Sequence, residues 1–140
     1  MKRSRFAIRE QDTLRDAQIL WFPSRPAFLR YYRSKRLDGK PLSGRNAAAA
    51  CLIFHEDNGQ KGNPFAELLF YQGMFSVENI AHEVSHALLE YFQILDVDPR
   101  GHGLDAQEEF ALLHGKLTGR IIRWRNEEVY PPSKDKRTTQ

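Results

Sequence analysis

The run Ile80-Ala81-His82-Glu83-Val84-Ser85-His86 limits this chain more tightly than any other, because it sets two imidazoles four residues apart in what reads as a helix. On a helix, such residues lie about 40° apart in azimuth and about 6 Å apart along the axis, so His82 and His86 share a face. Two imidazoles so placed can hold one Zn²⁺ at about 2.0–2.1 Å each. Glu83, one residue on, stands where it can take a proton from a water that the metal acidifies. With Val84 as the centre of an apolar stripe, Val77, Ile80, Ala81, Ala87, Leu88, Tyr91 and Leu95 fall within about 60° of it, and both histidines lie nearly opposite. The histidines are thus outside the apolar stripe, and the reading that competes with a metal pair is a solvated polar face.

A chain of 140 residues with 41% hydrophobic side chains suits one domain around one core. Its net charge of +3 is concentrated at the ends, in Lys2-Arg3-Ser4-Arg5 and Lys134-Asp135-Lys136-Arg137. Residues 1–5 and 131–140 are therefore expected to be flexible, solvating ends, and nucleic acid is not the expected partner. The one cysteine, Cys51, cannot form an internal disulfide and lies in an apolar run, which points to a reducing compartment and a packing role. Met1 is followed by charge, and no apolar stretch has export or membrane-spanning length, so the cytoplasm is the expected location and no membrane is involved.

In chain order, Arg5 to Glu10 reads as a short strand and Ala17 to Phe22 as a buried one. Ser24 caps a helix with Pro26 in its first turn, running to about Lys35. Asp38 to Arg45 is a loop. Ala47 to His55 carries four alanines that suit a helix, yet its Cys-Leu-Ile-Phe end and the polar stretch after it favour a strand leading into a hairpin, with Phe65 to Tyr71 returning. Ser76 caps the motif helix from Val77 to about Leu95. A loop over Asp96 to Asp105 leads to a last helix over about Ala106 to Arg125.

A catalytic zinc needs a third protein ligand and an open fourth position. On the last helix, Leu113 centres the apolar side with Ala106, Phe110 and Leu117, and Glu109 falls with them. Glu108 falls opposite, beside Ala111, Gly115, Gly119 and Ile122, where small residues would let a neighbouring helix come close. Glu108 is the first choice, ahead of Glu109; both would also favour the positive end of their own helix. His102, between Gly101 and Gly103, is the chief rival, and Asp105 is a weaker one because an Asp there suits an N-cap. His55 and His114 are expected at a strand end and on a helix surface.

His82-Glu83-x-x-His86 followed by Glu108-Glu109-Phe110-Ala111-Leu112-Leu113-His114-Gly115 resembles the zincin metallopeptidases of the gluzincin kind, and most of all the small, single-domain zincin-like proteins of bacteria and phages. Glu108 and Gly115 have the gluzincin spacing of third ligand and glycine. Leu89 and Phe92 occupy the places that would extend the motif into that of a metzincin. The resemblance implies an α+β zincin-like domain, a small sheet with a hairpin packed on the motif helix and a C-terminal ligand helix. It implies a cytoplasmic hydrolase of peptide bonds with Zn²⁺ on His82, His86 and Glu108, with Glu83 as general base, and with a protein or peptide as substrate. Substrate would pair along the edge of Phe65 to Tyr71. Tyr71, Tyr91, His102 and His114 are candidates for stabilising the oxyanion. The alternatives are a zincin-fold regulatory protein that does not cleave, and a nucleic-acid accessory protein with a structural zinc.

Overall fold

The computed structural model describes residues 1–9, 15–35, 49–53, 64–101 and 103–133. Four strands, β1 (Lys2–Ala7), β2 (Asp16–Phe22), β3 (Ala49–Ile53) and β4 (Ala66–Tyr71), form a mixed sheet in the order β1-β2-β4-β3. β1 pairs antiparallel with β2 and β3 antiparallel with β4, while β2 and β4 run parallel. Three helices complete the single α+β domain: α1 (Arg25–Lys35), α2 (Val77–Ile94) and α3 (Leu104–Trp124), the last continued by one wider π turn over Arg125–Val129.

Strand alternation divides the core into two layers, since successive side chains point to opposite faces. Ala17, Ile19, Ala66, Leu68 and Phe70 face α2 and α3. Leu20, Phe22, Ala50, Leu52, Leu69 and Tyr71 face Phe28 and Tyr32 of α1. All six residues of β4 are buried, as a central strand covered on both faces requires.

The antiparallel pairing of β3 with β4 is the expected hairpin partnership, and alanine did not carry Ala49–Ile53 into a helix because Cys51 and Ile53 pack beneath α2. Two expectations are corrected. Lys2 to Arg5 is not a flexible end but most of β1, whose backbone is satisfied by β2; its basic side chains sit where an edge strand gains from charge. β4 offers no edge for substrate, because β2 and β3 occupy both sides of it.

Ser76 caps α2 by accepting from the Asn79 amide at 3.2 Å, and the Ser24 hydroxyl accepts from Ala27 at 3.3 Å. α2 ends in a Schellman turn: the Val97 amide bonds the Phe92 carbonyl at 2.9 Å, the Asp96 amide bonds Gln93 at 3.0 Å, and Asp96 takes φ +57°. Gly103 enters α3 at φ +86°, a conformation that favours glycine. α3 therefore begins at Leu104, and Asp105 lies inside its first turn instead of capping it. Among the described residues, no helix is long and apolar enough to cross a membrane.

Candidate metal centre

α2 turns one face to the sheet and the opposite one to solvent, as its periodicity predicts. Ile80, Val84, Ala87, Leu88 and Tyr91 are buried, Val77 at the first turn is exposed, and Glu83 and Phe92 join the buried side. His82 and His86 are both exposed. Their Nε2 atoms approach to 3.2 Å, with the rings at 79° to each other. Without a metal this approach is a hydrogen bond in which one imidazole donates to the other. Two ligands of one tetrahedral zinc with bonds of about 2.0–2.1 Å have nitrogens about 3.3–3.4 Å apart. The separation of the two nitrogens is close to that of two ligands on one cation.

Glu83 lies one residue round the helix and is only 6% exposed. Burial raises its carboxyl above the usual range, with the charge of His82 acting the other way. It shares its surroundings with Cys51 of β3, whose thiol is pushed up by burial and then by the charges of Glu83 and Glu90.

The expected third ligand does not join them. α3 runs antiparallel to α2, with Phe110 against Phe92 and His114 against Ala81 and Ser85. Glu108 precedes His114 by six residues and is therefore displaced about 9 Å along the axis, toward the C-terminal end of α2. It is exposed, and so are Ala111, Gly115 and Gly119. A side chain added at either glycine would meet nothing within 4 Å. The small-residue face of α3 is exposed, and among the described residues no helix packs on it. Glu109 forms an ion pair with Arg9, and Asp105 is exposed in the first turn of α3. His102, His55 and the tail 134–140 lie outside the described residues. Among the described residues, no group of three His, Cys, Asp or Glu could hold a metal.

The residue of α3 that does stand beside the motif is His114, which the sequence places on a helix surface. It is half-buried, stacked on Phe110 at 6.2 Å, and its Nε2 lies 3.0 Å from Ser85 Oγ and 3.1 Å from the Ala81 carbonyl. Because the Ser85 hydroxyl itself donates to Ala81 at 2.9 Å, Nε2–H is the donor on this side. His114 ties α3 to the turn of α2 that carries His82. Its place four residues after Phe110, on the flank of the Leu113 stripe, was the available signal. Of the other oxyanion candidates, Tyr71 is buried on the α1 face and Tyr91 is fully buried under Arg9.

Beyond the pair, Leu89 and Gln93 continue the exposed ridge at helical spacing, and Leu89 is 51% exposed. They line a groove of about 340 Å³ together with Val97 and Pro99. The chain matches no family model, no curated protein and no solved structure.

Proposed function

We propose that this chain is a zinc-dependent peptidase of the zincin type, in which His82 and His86 hold the metal and Glu83 moves the proton. The observation that carries the reading is the convergence of two exposed imidazoles at 3.2 Å beside a buried carboxyl of raised proton affinity. Zinc bound there would supply Lewis acidity toward water and toward a scissile carbonyl. Glu83 takes the proton from water as the water attacks, then passes it to the leaving amine. His114 holds the motif turn in register through Ala81 and Ser85. The ridge from His86 to Gln93 and the groove at its end receive the peptide, and β3, the strand at the end of the sheet nearest Glu83, takes the edge role that β4 cannot. The third donor is left to the choice that the sequence offers between Glu108, which stands apart from the pair, and His102.

A second reading, a zincin-type protein that binds metal without cleaving, is favoured by the meeting of only two donors among the described residues. One experiment separates the two. Zinc is quantified in purified wild type, His82→Ala, Glu108→Ala, Glu109→Ala and His102→Ala, and each is incubated with a mixture of cellular peptides beside a Glu83→Gln control. Peptidase activity predicts one zinc per chain, its loss in His82→Ala and in one of Glu108→Ala and His102→Ala, retention in Glu109→Ala, and cleavage that Glu83→Gln lacks. Zinc lost in His102→Ala and kept in Glu108→Ala moves the third position to His102. Zinc without cleavage supports the second reading, and wild type without zinc overturns both.

A further inference from the structure

A second groove lies on the other side of α3, between that helix and the end of β1, and its volume of about 700 Å³ is roughly twice that of the groove beyond the histidines. Its floor is aliphatic, made by Ile8, Leu113 and Leu117, and its rim carries Arg9, Lys116 and Arg120 with no acidic side chain among the described residues that line it. Glu109 neutralises Arg9 from outside. Lys116 is exposed, and Arg120 follows it one helical turn later on the same face. Two contacts fix Arg120: its Nη1 donates to the Ala7 carbonyl at 2.9 Å, and its guanidinium lies 4.9 Å from the centre of the Phe6 ring. A cation held this way is already ordered before anything binds, which lowers the entropic cost of docking.

We infer that this groove docks an acidic, leucine-bearing peptide segment of a partner protein. Positive charge at the rim selects carboxylates, and the aliphatic floor accepts the side chains between them. Nucleic acid fits less well, because among the described residues no aromatic ring lines the groove for bases to stack on. The histidine pair lies on the outer face of α2, so docking here is independent of the metal and of the peptidase reading.

The test uses the full chain and fluorescence anisotropy with a labelled dodecapeptide in which glutamates flank two leucines. The same peptide with alanines for leucines and a dodecathymidylate serve as the other probes. Saturable binding is expected, weakened about tenfold by Lys116→Glu with Arg120→Glu and severalfold by Lys116→Glu alone, which touches only an exposed side chain. Raised salt and the alanine peptide should each weaken it, and His82→Ala should leave it unchanged. No binding of the peptide, equal binding of the alanine peptide, tighter binding of the dodecathymidylate, or indifference to Lys116→Glu would each overturn the proposal. Binding that appears only after Glu10→Gln with Asp12→Asn, two acidic residues that follow Arg9 in the sequence, would assign the groove to the chain's own carboxylates, and would overturn it as well.

Discussion

Two glutamates are buried on opposite sides of the sheet, Glu67 at 5% and Glu83 at 6% exposure, and they differ in what meets them. On the α1 side, Glu67 accepts the Tyr31 hydroxyl at 2.6 Å and the Gln18 amide at 3.2 Å, and Gln18 in turn accepts from Arg5 at 3.3 Å. The strand register sets Arg5, Gln18 and Glu67 side by side, so the network is a consequence of pairing. Burial and the Glu67 bond push the Tyr31 phenol well above its ordinary value, which keeps it a donor at every physiological pH. On the α2 side, burial raises the proton affinity of Glu83, with the charge of His82 acting the other way. A carboxyl whose bonds are satisfied serves the fold; burial raises the proton affinity of the other, which adjoins His82 in the sequence.

The largest effects should fall on the α2 side and on function. Glu83→Gln is expected to lower peptide hydrolysis by about 10²–10⁴-fold, the usual contribution of a general base, with zinc content unchanged. His82→Ala should remove nearly all bound zinc, since one imidazole of a pair cannot hold the metal alone. Hydrolysis rates and metal analysis of the same preparations check both. The contrast between the two glutamates breaks if Glu67→Gln lowers hydrolysis as much as Glu83→Gln does.

Next in size is a stability effect on the α1 side. Glu67→Ala strands the Tyr31 hydroxyl and the Gln18 amide inside the protein, at a cost of about 2–5 kcal/mol. That corresponds to a fall in Tm on the order of 10 °C, measured by thermal unfolding. Zinc content of the folded fraction should not change. A loss below about 0.5 kcal/mol would show that water replaces the carboxyl and that the network is not what holds α1 to the sheet.

How far these two environments could be read from the sequence follows from the range of the interactions. The α2 site was legible because a helix brings residues four apart together without help from the rest of the chain, and the exposure of His82 and His86 follows from periodicity alone. Glu67 was invisible, since its partners come from β2 and α1, and only the parallel pairing of β2 with β4 sets Gln18 opposite it. The role of Glu108 failed to appear for the same reason: azimuth on α3 can be read from sequence, but axial offset against α2 depends on the turn from Asp96 to Gly103. That offset set His114 beside the motif instead. The order of the strands was equally nonlocal, which is why β4 read as an edge and is central.

The smallest effect is the one that isolates Glu83 from catalysis, and it is read on protein stripped of metal. Because burial raises its carboxyl, the folded chain keeps a proton at pH values where the unfolded chain has released it. Stability therefore falls as pH rises from the ordinary carboxyl range, near pH 4.3, through the raised folded value, and levels off above it. Cys51, which shares these surroundings and is kept a neutral thiol, does not reverse this. His82, when charged, works in the opposite direction. Glutamine carries no charge to bury, so Glu83→Gln should raise Tm at neutral pH, and its advantage should shrink to nothing by about pH 4. An advantage that is the same at both pH values, or a Glu83→Gln protein less stable than wild type, would mean that Glu83 is satisfied in its site much as Glu67 is, and the difference between the two carboxyls would disappear.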